Sequence, residues 1–122
     1  MAQGIARCLK PGGRFVTVNS NPALEFSSAP SYRQYGFETT VRGDFCEGTP
    51  IKWTFFLDNG QFDIENYYLN VELHEAAFRA AGFRETRWHA PRLSPQGMTE
   101  FGGDFWLPFT THPPVAFIEC VK

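Results

Sequence analysis

No run of apolar residues in this sequence approaches the ~20 that a membrane-spanning helix requires. No segment is dense in Lys and Arg either. Its 11 cations and 13 carboxylates are interspersed, for a net charge of −2. A phosphate-backbone footprint is therefore missing, and the composition argues against a nucleic-acid partner and against a membrane. Met1 to Lys10 lacks the apolar core of a signal peptide, which predicts a cytoplasmic location. Cysteine is scarce. Cys8, Cys46 and Cys120 are odd in number and widely spaced, which fits neither a disulfide framework nor a zinc site. They read as small buried hydrophobes. Histidine is equally sparse, and no Ser-His-Asp or Cys-His set can be assembled around His74, His89 and His112. Asp58, Asp63 and Glu65 do not have the spacing of a calcium loop. Gly12-Gly13 precede a strand and not a helix, so they are not a phosphate cradle.

What the sequence has instead is rings. Aromatics make up 16% of it, with 13 Phe. In a chain with room for one small domain, that many rings imply either a dense core or an aromatic-lined pocket.

Leu9 to Asn19 is the organising stretch. A short helix over 2–9, with Ile5, Cys8 and Leu9 on its apolar face, ends at Pro11-Gly12-Gly13. Lys10 supplies a cation for its unpaired carbonyls. Residues 14–19 then alternate Phe15, Thr17, Asn19 against Val16, Val18, as in a strand buried on both faces of a parallel α/β sheet. Asn19-Ser20-Asn21-Pro22 breaks that strand. The cluster either faces a ligand at the carboxyl end of the sheet or simply makes the turn.

Further on, a loop over 22–36 holds one helical turn near Ser31–Tyr35, and residues 37–42 form a strand. Residues 51–57 and 62–68 flank Asp58-Asn59-Gly60, a hairpin with a type I′ turn, its Trp53, Phe55, Leu57, Phe62 and Ile64 on one apolar face. Asn70 caps a helix over 71–81 whose buried stripe is Leu73, Ala77 and Ala80–Ala81, with Phe78 at its border. Gly82 ends it, and 83–88 is a strand. A long irregular loop over 90–114 leads to a terminal strand over 115–121.

Two of these segments carry a family resemblance. Leu9-Lys10-Pro11-Gly12-Gly13-Arg14-Phe15-Val16 and Ala80-Ala81-Gly82-Phe83 resemble the late part of class I S-adenosylmethionine-dependent methyltransferases. There the first joins a crossover helix to the fifth strand of a Rossmann-like sheet. The second joins the last helix to the sixth strand. The resemblance covers residues 1–21 and 70–122, with 22–69 as a substrate-side lid insertion carrying the hairpin. It implies three strands, the terminal one antiparallel and central, with two helices on one face. The family's acidic-Gly-x-Gly loop and its other cofactor-holding segments are not found in this sequence. The resemblance thus implies the C-terminal half of such an enzyme, with S-adenosylmethionine not bound by this chain alone.

On that resemblance the methyl acceptor is a small molecule. Its pocket would use Asn19 and Asn21 at the strand end, and Tyr35, Trp53, Phe55, Tyr67 and Tyr68 from the insertion. Equally, these rings could be core between hairpin and sheet. His89, after the strand 83–88, is a candidate general base or a plain loop residue. His74 and His112 read as surface residues. Phe101-Gly102-Gly103-Asp104-Phe105-Trp106 forms a pocket wall or plugs the loop to the sheet. A bare sheet face and an unpaired edge would follow from a half-sheet, met by the N-terminal half or by self-association. The alternative function is a non-catalytic module that dimerises through that face and binds a small apolar ligand or a protein.

Overall fold

The structure, a computed structural model, describes residues 1–122. Ala2–Cys8 forms α1 and Arg14–Ser20 forms β1. The turn between them needs its glycines. Gly12 has φ +82, and a Cβ on Gly13 would lie 2.9 Å from the Lys10 carbonyl oxygen. Two 3₁₀ turns, Phe26–Ser28 and Arg33–Tyr35, lead to β2 (Phe37–Val41), β3 (Pro50–Leu57) and β4 (Gly60–Tyr67). Next come α2 (Val71–Ala80) and β5 (Glu85–His89). The chain ends with α3 (Pro95–Phe101), α4 (Gly103–Thr111) and β6 (Val115–Val121).

The strands make two antiparallel three-stranded sheets, β1-β6-β5 and β2-β3-β4. β6 is the central strand of the first and runs against both neighbours. β1 and β5 therefore point the same way, but no two neighbouring strands are parallel. The protein is a mixed α/β fold. No helix is long and apolar enough to cross a membrane.

The register assigns faces. Phe15, Thr17 and Asn19 of β1 share a face with Cys120, Ile118 and Ala116 of β6 and with Thr86 and Trp88 of β5. That face packs against the helices: Ala6 of α1, Phe78 of α2, Phe83, Ile118 and Cys120 form one core. The opposite face carries Val16 and Val18, 60% and 51% exposed. β1 is thus buried on one face only, contrary to the expectation of a strand covered on both. It is an edge strand, and no helix lies over its other face.

The second core lies under the β2-β3-β4 sheet. Leu24, Phe26, Tyr32, Ile51 and Trp53 are buried together, and Val115 of β6 packs onto them. The Tyr32 hydroxyl donates to the His112 carbonyl at 2.7 Å, and burial raises its pKa to about 12. These contacts join the insertion to the first sheet.

Several local expectations change. The hairpin closes on the pair Leu57↔Gly60, with Asp58 and Asn59 as its loop. Neither has a positive φ, so the turn is not type I′. This register sets Lys52 opposite Glu65 and Thr54 opposite Asp63, whose side chains bond at 2.8 Å. A turn centred on Asn59-Gly60 would move both pairs out of register.

On α2 the buried residue is Phe78, while Leu73 is 47% exposed. Its sheet-facing stripe runs through His74, Glu75, Phe78 and Ala81, because Trp88 presents polar needs to it. The Trp88 indole donates to Glu75 Oε1 at 3.0 Å, and His74 packs edge-on against its ring. His74 is therefore half-buried and not a free surface group. Cys8 and Cys46 are exposed, and only Cys120 is buried. Ala6, not Cys8, faces the core from α1.

The stretch 90–114 is not irregular. Ser94 caps α3, its Oγ accepting from the Gly97 amide at 3.0 Å, with Pro95 in the first turn. Gly102, at φ +81, then turns the chain directly into α4.

Candidate functional site

Where β1 ends and β6 begins, the uncovered face of the first sheet meets the inner face of β3 and β4. A groove of about 220 Å³ lies in that corner, lined by Val18, Asn19, Ser20, Trp53, Phe55, Ile64, Asn66 and Val115. Its position follows from two alternations. Val18 and Ser20 point off one sheet, while Trp53, Phe55, Ile64 and Asn66 point off the other. No charged side chain lines it.

A directed chain of hydrogen bonds crosses its floor. The Trp53 indole donates to Asn66 Oδ1 at 3.1 Å, and Asn66 Nδ2 donates to Ser20 Oγ at 2.9 Å. Indole nitrogen is a donor only, so the amide orientation is fixed by chemistry. Rings flank this chain. Trp53 and Phe55 stand 6.4 Å apart at 14°, and Phe55 and Phe62 stack at 5.0 Å and 18°.

Around the corner, beyond Val115, a second hollow of about 290 Å³ opens. Asn21, Pro22, Trp88, His89, Pro91 and Pro113 are among the residues around it. Here Asn21 is occupied with structure. Its Nδ2 donates to the Pro113 carbonyl at 2.9 Å and its Oδ1 accepts from the Ala23 amide at 3.0 Å.

His89 closes β5 rather than following it. Its Nε2 lies 3.2 Å from Glu119 Oε1. Arg14 and Arg87 reach the same carboxylate at 3.4 and 3.6 Å. The contact with His89, aided by the two guanidinium groups, holds the Glu119 pKa below the usual glutamate range. His89 thus has its Nε2 committed to Glu119. As a candidate general base it sits on the rim of the second hollow, not in the groove.

Of the sequence-predicted residues, Trp53 and Phe55 thus meet in one groove, which Asn19 borders although its register puts its side chain on the helix-packed face, and Asn21 and His89 meet in its neighbour. Three others are elsewhere. The Tyr35 hydroxyl donates to the Phe105 carbonyl at 2.6 Å, and its ring stacks on Trp106 at 5.3 Å and 6°. Tyr35 therefore fastens the α3–α4 pair to the insertion. In doing so it makes Phe105 and Trp106 a plug rather than a groove wall. Tyr67 lies on the outer face of the hairpin, 59% exposed, beside Glu65. The Tyr68 hydroxyl donates to the Pro22 carbonyl at 2.8 Å, and burial, with Glu47 and Glu72 nearby, raises its pKa.

The reading from sequence named Ser20 only within the Asn19–Pro22 cluster and Ile64 only as part of the hairpin's apolar face, and it missed Asn66. Asn66 follows Phe62 and Ile64 at the strand period, so a polar residue on an apolar face was the available sign. No group of His, Cys, Asp and Glu side chains is placed to hold a metal ion. No protein-family model matches the chain, and no curated protein matches it.

Proposed function

We propose that this chain is the C-terminal portion of an S-adenosylmethionine-dependent methyltransferase acting on a small molecule, and that it supplies the acceptor-side pocket. The observation that carries this is the strand order β1-β6-β5, with the terminal strand reversed between two co-directional ones. That is the order the Leu-Lys-Pro-Gly-Gly and Ala-Gly-Phe segments imply for the end of a Rossmann-like methyltransferase sheet. Both helices that precede those segments, α1 and α2, pack on the same face, as right-handed crossovers require.

In this reading the cofactor is held mainly by the N-terminal half, next to β1, and brings the activated methyl group. The chain's own task is to hold an acceptor and exclude water. A groove walled by Trp53, Phe55, Ile64 and Val18 at the carboxyl end of β1 suits that task.

The test begins with the coding sequence. An acidic-Gly-x-Gly segment is expected roughly 80–130 residues upstream of Leu9, given ordinary domain sizes. Co-expression with that upstream segment should give transfer of labelled methyl from S-adenosylmethionine to a small molecule. The isolated chain should bind S-adenosylmethionine immeasurably weakly by calorimetry. An upstream sequence without the acidic-Gly-x-Gly loop, or tight cofactor binding by the isolated chain, defeats the proposal.

One observation favours a second reading, a module that dimerises through its bare sheet. Gly13 O accepts from the Lys122 amide and the Asn21 amide donates to Pro114 O. Odd-numbered β1 residues therefore bond to β6, which leaves the backbone groups of Val16 and Val18 pointing outward. Sedimentation of the chain separates the readings: a tight dimer lost in Val16→Lys favours the module.

A further inference from the structure

The hydrogen-bond chain on the groove floor has a loose end. Trp53 N–H points to Asn66, and the Asn66 amide N–H points to Ser20. Ser20 Oγ is therefore an acceptor in that bond, and its own hydrogen is left to donate. The bond from Asn66 is the single side-chain hydrogen bond that Ser20 makes. Ser20 is 9% exposed and lines the groove, so bulk water is a limited partner for it. An O–H donor held at the wall of a ring-lined hollow selects an oxygen or nitrogen acceptor in whatever fills the hollow.

We propose that this groove takes an uncharged, flat aromatic molecule carrying a hydrogen-bond acceptor, and that Ser20 donates to that acceptor. This deepens the acceptor-side reading above, and rests on it for the identity of the ligand as the methyl acceptor. Three features set the class. The walls are Trp53, Phe55, Ile64, Val18 and Val115, which favour apolar rings. The lining holds no cation or carboxylate, so a charged ligand would lose hydration without gaining a partner. The volume of about 220 Å³ suits one ring or two fused rings. Asn66, which lines the groove between Trp53 and Ser20, accepts from Trp53 and donates to Ser20, and so holds both as a positioning residue.

The experiment titrates the full chain, without cofactor, with three probes and follows the Trp53 indole N–H resonance. The probes are 2-acetylnaphthalene, which is neutral with an acceptor, naphthalene, which has none, and 2-naphthoate, which is charged. The ketone should bind roughly three- to tenfold more tightly than the hydrocarbon, the range one hydrogen bond supplies. Naphthoate should bind weakest. Ser20→Ala should bring the ketone down to the level of the hydrocarbon and leave the hydrocarbon unchanged, and Ser20→Thr should restore the difference.

Naphthoate binding as tightly as the ketone, or an unchanged ketone affinity in Ser20→Ala, overturns the proposal. So does the absence of saturable binding by any probe. If Ser20→Ala does not fold, the ranking of probes on the unaltered chain still decides the matter. None of these outcomes depends on methyl transfer. Failure here leaves the methyltransferase reading to its own assay, and failure there leaves the groove's ligand class standing.

Discussion

Lys122 Nζ donates to the carbonyl oxygen of Ala6 at 2.6 Å, joining the end of β6 to the last turn of α1. It also reaches the Leu9 carbonyl at 2.7 Å. A helix C-terminus leaves carbonyls unpaired and carries partial negative charge. The sequence offers Lys10 for this role by proximity, and the fold gives it to Lys122. Lys122→Met keeps the aliphatic stem and removes the charge. It should destabilise the protein by about 1–3 kcal/mol, the range for charged hydrogen bonds. Urea denaturation checks this, and the loss should be smaller in Lys122→Arg.

Gly13→Ala tests the turn that follows. The added Cβ would meet the Lys10 carbonyl oxygen at 2.9 Å, a backbone atom with little room to give. Gly12→Ala, by contrast, meets open space but must hold φ at +82. It should cost ~1 kcal/mol from backbone strain. Gly13→Ala should cost more, because the turn and its bond from Gly13 N to Lys10 O must both shift. A lower melting temperature for Gly13→Ala than for Gly12→Ala is the expected order.

How much of this was readable beforehand follows the range of the interactions. The ends of α1, β1, α2 and β6 are set by local chemistry: Pro11-Gly12-Gly13, the Asn70 cap, Gly82 and the mostly apolar run from Val115 to Val121. Those were legible. α3 and α4 were not, because Pro91, Pro95 and Pro108 suggest a loop. Pro95 is in fact a first-turn proline behind a Ser94 cap. The groove was half legible. Alternation placed Trp53 and Phe55 on the apolar face. That Ser20 sits against Asn66, 46 residues away, is a fact of how two sheets dock, and no local pattern carries it. Tyr35, Tyr67 and Tyr68 were grouped by type, and each hydroxyl turned out to have a different structural partner.

Acid should weaken the uncovered sheet face first. Glu119 has a depressed pKa in the folded state, set by His89, Arg14 and Arg87. Such a group adds stability above its unfolded pKa of about 4.3, and that stability is lost as pH falls through the lower folded value. Glu119→Gln should therefore be less stable than the unaltered chain at pH 6, with the difference shrinking below about pH 4. Melting temperatures measured from pH 7 to pH 3 give the test. A constant difference across that range would mean the cluster contributes packing and not charge.

At the alkaline end the sign is reversed and the group is Tyr32. Burial, with Tyr35 nearby, raises its pKa to about 12, while an unfolded tyrosine titrates near 10. The folded chain then holds a proton that the unfolded chain releases, so stability falls between about pH 10 and pH 12. Phenolate absorbance should show one of the four tyrosines titrating last, and that step should vanish in Tyr32→Phe.

Tyr35 decides whether the α3–α4 pair is a fixed wall or a separable piece. Its hydroxyl and Gln34 Nε2 both donate to the Phe105 carbonyl, at 2.6 and 2.8 Å. Its ring meets Phe105, Trp106 and Phe109 within 5.2–5.3 Å. The helix pair has few other ties, and Met98, Phe101 and Leu107 remain exposed on it. Tyr35→Ala should remove the anchor, at a cost of about 3 kcal/mol or more for a packed aromatic. Amide exchange in 95–111 should then quicken by at least tenfold, while β3 and β6 stay protected. Tyr35→Phe, which keeps the stacking and loses the bond to the Phe105 carbonyl and the one accepted from Gln34 Nε2, should cost only about 1–2 kcal/mol. Uniform exchange across the chain in Tyr35→Ala would instead make the helix pair part of the cooperative core, and Tyr35 a core residue like Tyr32.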